Sequence, residues 1–317
     1  MANNLIVPIA ADKREWNSAI PYMFDIHPLG NLMVYESIKG LDLQGFDRIC
    51  VTILRKHEER YGLKAMLQAQ FGIAGLNGKL DVVVLDSPTR SQPETVAKTI
   101  ELAGLDGAIL VKDADNAFEC RPTRENMIGI FPLDALERVN PSDKSYVALD
   151  DSMYVTNIIE KKIIGRYFCA GAYGFRSAGR FMEYYGKLAH YVTLYLSHVI
   201  CAMLLDQISF RPFIVKNYVD WGTHREWLEY CEGFRTLFVS WKLLAGENSE
   251  NAVEKLNVLH EAGRTRIVLV VENNLLQEQH IKATIAQSGI RYHDIVWGAF
   301  PHNMQLVSSV DQLRQIS

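Results

Sequence analysis

Short apolar runs alternate with amphipathic segments along the first third of the chain. The apolar runs predict buried strands at residues 5–10, 47–54, 80–85 and 108–111. The segments between them place apolar side chains on one face of a helix, at residues 29–38, 58–70 and 94–102. Because strands that alternate with helices form sheets covered on both faces, we expect an α/β fold with a mostly parallel, mixed sheet.

The pattern changes after residue 178 and restarts after residue 233. Aromatic and leucine side chains recur at helical spacing over residues 181–195, and such spacing is more typical of core packing than of a ligand site. Strands are then predicted at 236–239, 266–271 and 292–297, with helices at 251–262 and 277–287. The sequence therefore predicts a domain of residues 1–235 followed by a smaller α/β domain of residues 236–317.

Charge and cysteine content exclude several classes of protein. The formal net charge of -4 gives no general attraction to nucleic acid or to an anionic membrane. No apolar segment approaches the roughly 18 residues of a membrane helix and residues 1–16 lack the features of a signal peptide, so we expect a cytoplasmic protein without membrane insertion. The five cysteines are far apart in sequence, which argues against a disulfide framework and against a zinc knuckle.

The predicted fourth strand ends in an acidic turn, Lys112-Asp113-Ala114-Asp115-Asn116. Open α/β sheets place their ligands at the carboxyl ends of strands. Carboxylates held together there repel each other unless a cation shares them, and their hard oxygen atoms suit Mg²⁺ or Mn²⁺. One interpretation of the turn is a metal site that orients phosphates. The other is an ordinary Asp-Asn turn that closes a strand.

Three further motifs are present along the chain: SQPET at 91–95, NIIEKK at 157–162 with AGAYGF at 170–175, and VDWGT at 219–223. Taken singly, the first is also a capped helix start, and the second is also a solvated ion pair beside a bent strand. Together with the acidic turn, and in this order, the motifs resemble those of the sugar-phosphate nucleotidyltransferases. The resemblance spans residues 5–235 and is to the bacterial capsule-biosynthesis type, in which a transferase domain of Rossmann-like, GT-A-like fold precedes a small phosphatase-like domain.

The resemblance implies roles for several residues of these motifs. Gln92 would read the nucleotide base, and Thr95 would belong to the same nucleotide-binding turn. Asp115 and Asp220 would hold Mg²⁺ while also contacting the nucleotide and the substrate, respectively. Asp113 is a further candidate metal ligand.

The same resemblance implies an acceptor site. Glu160 would hold sugar hydroxyls, Lys161 would hold the phosphate, and Gly171 would let the sugar approach the backbone. A glutamate carboxylate can accept hydrogen bonds from two hydroxyl groups, and a lysine ammonium group supplies a point charge for a phosphate. His198, in a pattern L-Y-x-S-H that also matches the family, either assists a substrate hydroxyl or is a hydrogen-bonded structural histidine.

The loop after the first strand departs from the family pattern. The family carries G-x-G-x-x-R and then P-K, whereas this chain has AADKREW at residues 10–16 and then Pro21-Tyr22. The loop residues expected at the phosphates are Ala10, Ala11, Lys13 and Arg14. We expect Arg14 and Lys161 to be catalytic, yet β-carbons and Asp12 oppose the close approach that glycines allow. Either the loop binds a different nucleotide geometry or transfer activity has been lost.

Residues 236–317 resemble a haloacid-dehalogenase-type phosphatase domain that has lost its catalytic residues. Such an enzyme needs a nucleophilic aspartate and a second aspartate two residues later. Ser240 and Lys242 stand at these positions, so we expect no phosphatase activity. We interpret the domain as a packing, dimerisation or binding unit, which leaves homo-oligomer formation open.

The leading hypothesis is a Mg²⁺-dependent nucleotidyltransferase in surface-polysaccharide or nucleotide-sugar metabolism. It would join a nucleoside triphosphate to a small phosphorylated metabolite such as a sugar phosphate, with release of pyrophosphate. The enzymatic alternative is a glycosyltransferase that uses a nucleotide-sugar donor. A third hypothesis is a catalytically silent protein that binds a nucleotide or a sugar phosphate. The sequence leaves the base and the acceptor open.

Overall fold

The structure is a computed structural model that describes residues 2–10, 20–136, 144–246, 249–272, 277–298, 300 and 304–316. The chain divides into two compact units. The first comprises Met1–Asp25 and Leu32–His224, and the second comprises Ile26–Asn31 and Arg225–Ser317. The second unit therefore includes a short N-terminal segment and residues 225–235, which the sequence analysis placed in the first domain. Among the described residues, no helix is long and apolar enough to cross a membrane.

A large mixed sheet forms the centre of the first unit. Its strands are β1 (Asn3–Pro8), β2 (Arg48–Leu54), β3 (Leu80–Leu85), β4 (Ala108–Lys112), β6 (Met127–Pro132), β7 (Ser145–Leu149), β8 (Val155–Glu160), β9 (Tyr167–Phe175) and β10 (Arg211–Ile214). They run in the order β10-β6-β9-β4-β1-β2-β3, with β7 pairing β8 and β9. The four strands β3, β2, β1 and β4 are parallel, whereas β9 lies antiparallel between β4 and β6. The predicted α/β class with a mostly parallel, mixed sheet is confirmed.

A small antiparallel sheet of β5 (Asn116–Glu119) and β11 (Lys216–Asp220) completes the strands of this unit. Its helices are α1 (Met33–Lys39), α2 (Arg55–Tyr61), α3 (Leu63–Ile73), α4 (Gln92–Ala103), α5 (Ala178–Leu188) and α6 (Leu196–Leu205). Val96 of α4, Phe181 of α5 and Ile200 of α6 share one buried core with Ile109 and Val111 of β4. Because both faces of β4 are covered, its apolar run is continuous, and its carboxyl end is held in a fixed place.

Two predicted helices differ from the structure. Residues 58–70 were predicted as one helix, but Gly62 adopts φ 65° and separates α2 from α3. The left-handed conformation suits glycine, and its N–H bonds the Glu58 carbonyl to close α2 at 2.8 Å. The helix predicted from residue 29 begins at Met33, because Gly30, at φ 97°, closes a turn on His27 first.

The start of α4 is capped as predicted, with one difference. The Ser91 hydroxyl accepts a hydrogen bond from the Glu94 N–H at 3.3 Å, as an N-cap does. The Glu94 carboxylate does not complete the capping box on Ser91; it accepts instead from the Arg90 N–H at 2.7 Å. The two caps together fix the turn that carries Gln92.

The second unit is a four-stranded parallel sheet with helices. Its elements are α7 (His224–Glu232), β12 (Arg235–Ser240), α8 (Ser249–Glu261), β13 (Thr265–Val271), α9 (Glu278–Ser288), β14 (Asp294–Trp297), β15 (Leu306–Val307) and α10 (Val310–Arg314). The strand order is β14-β13-β12-β15. His27 is buried in this unit, where its Nε2 lies 3.1 Å from the Tyr230 hydroxyl and its ring contacts those of Trp227 and Phe234. This contact explains why Ile26–Asn31 groups with the C-terminal half.

Candidate active site

A buried lysine stabilises the acidic turn through hydrogen bonds. Lys112 is fully buried at the end of β4, and its Nζ donates to the carbonyl oxygen atoms of Asp113 (2.5 Å) and Asn116 (3.0 Å) and to Asn116 Oδ1 (2.6 Å). Its Nζ also lies 4.4 Å from the centroid of the Phe118 ring. Burial lowers the pKa of Lys112 to about 8, while the charges of Asp113 and Asp115 act in the opposite direction. The lysine fixes the backbone from which the two aspartates project.

Strand pairing brings the backbone positions of Asp115 and Asp220 close together. In the β5–β11 ladder, Asn116 lies opposite Asp220, and the Asp115 carbonyl accepts a hydrogen bond from the Trp221 N–H at 2.8 Å. Residues directly opposite each other in an antiparallel pair have neighbouring side chains, so the side chain of Asp220 neighbours that of Asn116, while Asp115 lies opposite Trp221. Two aspartates that lie far apart in sequence therefore come to successive positions along one ladder, and burial and the charges of both raise the pKa of Tyr218.

Asp113 is held by the turn of α4 and by β9. Gln92 Nε2 donates a short hydrogen bond to Asp113 Oδ1, and the Asp113 N–H bonds the Gly171 carbonyl at 2.9 Å. Gly171 has φ 85°, and a β-carbon there would lie 2.7 Å from Asp113 Oδ2 and 2.6 Å from Asn116 Nδ2. The glycine therefore makes room for the acidic turn itself, a packing role that its sequence motif did not indicate.

A cleft of about 410 Å³ lies beside the acidic turn in the first unit, and its lining does not include the predicted site residues Glu160, Lys161, Gly171 and Asp220. Gln92, Thr95, Asp113 and Asp115 lie on its wall. Its other lining residues are Pro8, Ile9, Pro21, Tyr22, Met23, His57, Thr89, Arg90, Ser91, Ala114, Val192, Thr193, Leu194 and Tyr195. The structure thus brings together the glutamine turn and the acidic turn.

Three residues, Thr95, Ala10 and Tyr195, have surroundings that differ from those predicted. Thr95 is 2% exposed, and its hydroxyl group forms a hydrogen bond with that of Thr89 at 2.6 Å. The side chain therefore stabilises the turn before α4. Ala10 is buried in a small apolar cluster with Leu54 and Val83 and does not line the cleft. Tyr195, assigned to the core by its helical spacing, lines the cleft instead.

Tyr22 lies beside all three aspartates of the site. It is 8% exposed, and its pKa is raised by burial and then by the charges of Asp115, Asp113 and Asp220. The phenol therefore stays protonated at neutral pH. Where the family pattern has a lysine, this chain has a neutral hydroxyl group among carboxylates.

Glu160 is positioned by two serines. The hydroxyl of Ser145 donates to Glu160 Oε1 at 2.5 Å, and the buried Ser197 hydroxyl donates to the same oxygen in a shorter hydrogen bond. Lys161 comes next in the left-handed conformation, with φ 59°, and its Nζ lies 5.9 Å from the centroid of the Tyr195 ring. The carboxylate is thereby fixed through one oxygen atom at the end of β8.

His198 has a capping role. Its Nδ1 accepts a hydrogen bond from the Tyr195 N–H at 3.2 Å at the start of α6, and its side chain is exposed. This bond favours the structural interpretation of the histidine. Within the Ser197-His198 motif, the serine is the residue that contacts a predicted site residue.

Asp220 is paired with a cation of the chain itself. Lys144 Nζ forms a short ion pair with Asp220 Oδ2 and donates to the Tyr218 hydroxyl at 3.0 Å. Asp220 Oδ1 accepts from the Gly222 N–H at 2.9 Å. Both oxygen atoms of this carboxylate therefore have partners.

The carboxylates of Asp115 and Asp220 supply the hard oxygen atoms that a divalent cation prefers, but the carboxylate of Asp220 is already paired with Lys144. In the part of the chain that is described, no group of three or more histidine, cysteine, aspartate or glutamate side chains is arranged to hold a metal ion. A cation here would therefore depend on other ligands, such as phosphate or water, for the rest of its coordination shell.

Three predicted residues of the phosphate loop, Ala11, Lys13 and Arg14, lie outside the described residues. Sequence reasoning also missed residues that the structure places at the site: Lys112, Lys144, Ser197 and Tyr218. Lys112 could have been found, because a lysine that continues a buried apolar strand must have partners. Nothing in the local pattern links Lys144 to residue 220.

Comparison with known proteins supports the fold. No protein-family model and no curated protein matches the chain. A nucleoside-diphosphate-sugar pyrophosphorylase from Vibrio cholerae superposes with a TM-score of 0.59 at 15% identity, over 71% of this chain and 98% of that one. An inositol-1-phosphate CTP transferase from T. maritima gives 0.56 at 14% identity, over 71% and 91%.

HddC from Yersinia pseudotuberculosis, complexed with GMP-PN, gives a TM-score of 0.51 at 15% identity, over 74% of this chain and all of that one. The chain shares their fold. At this level of identity the likeness concerns the fold alone, and more than a quarter of the chain lies outside each match.

Proposed function

We propose that this chain transfers a nucleotidyl group from a nucleoside triphosphate to the phosphate of a small metabolite, such as a sugar phosphate, with release of pyrophosphate. The observation that carries this proposal is the meeting of Gln92, Asp113 and Asp115 in one cleft at the carboxyl end of β4. The fold supports it, since the Vibrio and T. maritima proteins are described as a pyrophosphorylase and a CTP transferase. A place in nucleotide-sugar or surface-polysaccharide metabolism would follow.

In this reaction an oxygen atom of the acceptor phosphate attacks the α-phosphorus in line. The bond from the α-phosphorus to the oxygen that bridges to the β-phosphate breaks, and its electron pair leaves with pyrophosphate. No covalent bond to the protein forms. Catalysis therefore consists of positioning the two anions and neutralising their charge.

The predicted site residues, of which Gln92 and Asp115 line the cleft, are suited to these tasks. Gln92 would hold the base end of the nucleotide, Glu160 would accept from acceptor hydroxyls, and Lys161 would place a positive charge near the acceptor phosphate. Arg14 would act on the triphosphate. A divalent cation, when bound, would be held by Asp115 and Asp220 and would supply neutralisation of phosphate charge.

A binding protein without transfer activity is the second candidate. Tyr22 favours it, because a neutral phenol stands beside the three aspartates where the family pattern has a lysine. Such a protein would bind nucleotide in the same cleft and leave the triphosphate intact. The two candidates therefore differ in turnover and agree in binding.

Pyrophosphate release separates them. Each common nucleoside triphosphate is incubated with a pool of sugar phosphates and other phosphorylated metabolites, with and without Mg²⁺, and nucleotide binding is measured in parallel. Release that requires one nucleotide, one acceptor and the metal ion is the expected result. Nucleotide binding with no release across the whole panel would contradict transfer and favour the binding protein.

A further inference from the structure

Asp220 forms its ion pair with Lys144 at a position that is largely shielded from solvent. The side chains of Lys144 and Asp220 are 17% and 21% exposed. The Tyr218 hydroxyl joins the pair, because it accepts from Lys144 Nζ at 3.0 Å and donates to Asp220 Oδ2 at 3.2 Å. The ion pair is therefore better shielded from water than an ordinary surface pair.

Aromatic rings and the backbone place this lysine. Lys144 Nζ lies 5.6 Å from the centroid of the Phe168 ring and 5.5 Å from that of Tyr218, and Tyr218 stacks on Phe131 at 5.3 Å. The Lys144 carbonyl accepts from the Lys161 N–H at 2.8 Å. Because it is fixed next to the acceptor motif at one end and next to Asp220 at the other, Lys144 lies between the two halves of the site.

The two lysines of the site differ in their freedom to move. The ammonium group of Lys112 is fully buried and bonds two carbonyl oxygen atoms and an amide oxygen, so it is a fixed part of the turn. The ammonium group of Lys144 bonds a carboxylate and a phenol and is partly exposed. A stronger anion that enters the site would compete for Lys144 and leave Lys112 in place.

We propose that Lys144 is a built-in counter-ion of Asp220 that competes with a divalent metal ion for this carboxylate. This inference deepens the proposed function, on which it rests for the importance of Asp220. A metal ion that approaches Asp220 meets an ammonium group already bound to Oδ2. Free metal ions therefore bind weakly, whereas a metal ion that arrives on nucleotide phosphates offers Lys144 a new anionic partner and releases Asp220.

Binding of Mn²⁺, monitored by electron paramagnetic resonance in the absence of nucleotide, tests the competition. Lys144→Gln and Lys144→Met both remove the positive charge of Lys144. Each is expected to lower the Kd for Mn²⁺ by about tenfold or more, because the ammonium group no longer repels the metal ion or occupies the carboxylate. Lys144→Arg should bind Mn²⁺ as weakly as the parent. Lys64→Met, which removes an exposed lysine from α3, is the matched control and should leave the Kd unchanged.

Mn²⁺ affinity that is unchanged or weaker in both neutral variants would overturn the proposal. Equal tightening in Lys64→Met would also overturn it, because the effect would then reflect net charge alone. Loss of the folded circular dichroism spectrum in both neutral variants would make the pair structural and overturn it as well. The measurement needs no turnover, so a chain that shows the competition but releases no pyrophosphate would contradict the proposed function alone.

Discussion

The two units differ in the residues that end a central strand of the sheet. In the first unit, β4 ends in a buried lysine and a turn with two aspartates, and a third aspartate joins them across β5–β11. In the second unit, β12 ends in the buried Ser240 and continues into a short 3-10 helix, Trp241–Leu244. Leu243 and Leu244 of that helix turn into the core. One strand end is built from charges and the other from apolar side chains.

The difference indicates which unit holds the residues suited to catalysis. A buried charge costs several kcal/mol unless partners stabilise it, so clustered charges are not retained for packing alone. At the end of β4, hydrogen bonds from Lys112 to Asp113 and Asn116 supply that stabilisation. At the end of β12, apolar packing needs no such network. The proposed chemistry therefore belongs to the first unit, and four experiments test the contrast.

The largest effect is expected from Asp115→Asn. The amide keeps the shape of the side chain and removes its charge, so nucleotidyl transfer should fall by about 100-fold or more while the circular dichroism spectrum stays unchanged. Asp294→Asn removes a carboxylate from β14 of the second unit and should leave transfer at the parent rate. Equal rates in Asp115→Asn and the parent would remove the end of β4 from the chemistry.

Lys112→Met is expected to destabilise the first unit. It leaves two carbonyl oxygen atoms and the Asn116 amide oxygen without their donor, at a cost of about 2–4 kcal/mol in the free energy of unfolding. Lys242→Met, at an exposed position after β12, should change it by less than about 0.5 kcal/mol. Urea unfolding of both variants checks the difference, and similar values for the two would contradict the supporting role of Lys112.

Substitution of two glycines with positive φ allows the cost of steric crowding to be measured separately from the cost of backbone strain. Gly171→Ala places a β-carbon 2.6 Å from Asn116 Nδ2, whereas a β-carbon at Gly263 of the second unit, with φ 72°, meets nothing within 4 Å. We expect Gly263→Ala to cost about 1 kcal/mol and Gly171→Ala to cost about 1–3 kcal/mol more, with weaker nucleotide binding. Thermal unfolding of both measures the gap, and its absence would show that the acidic turn is not packed against Gly171.

The smallest effect concerns Glu160. Ser197→Ala removes one of its two serine donors, worth about 0.5–1.5 kcal/mol, so the KM for the acceptor should rise about 2- to 10-fold while nucleotide affinity is unchanged. Ser240→Ala removes a comparably buried serine from the second unit and should alter neither constant. Steady-state kinetics with the acceptor varied decide this, and a loss of nucleotide affinity instead would place Ser197 in a different role.

The parts of the fold that local patterns determine could be predicted. The central strands have apolar runs because they are buried on both faces, and Ser91 is a standard helix cap. The break at Gly62 was missed because a single glycine is also tolerated within a helix. The extent of the second unit was not apparent either, since nothing near His27 indicates that it packs on Tyr230 and Trp227.

The site was predictable only where a motif carried it. Asp115 and Asp220 were chosen through a resemblance, and the pairing of β5 with β11 places their backbone positions close together. The bond between Lys144 and Asp220 depends on the path of three strands, which no local sequence pattern encodes. Ser197 was within reach, because a buried serine in a helix needs an acceptor, here Glu160.

The central claim is that the first unit cleaves a triphosphate between its α- and β-phosphates and transfers the nucleotidyl group to an acceptor phosphate. Parallel reactions with α-labelled and γ-labelled nucleoside triphosphate, in the parent and in Asp115→Asn, test it most directly. The account predicts that the α-label enters a new product with the acceptor and that the γ-label appears in pyrophosphate, in the parent alone. An intact triphosphate despite bound nucleotide, a γ-label released as inorganic phosphate, or equal turnover in Asp115→Asn would contradict it.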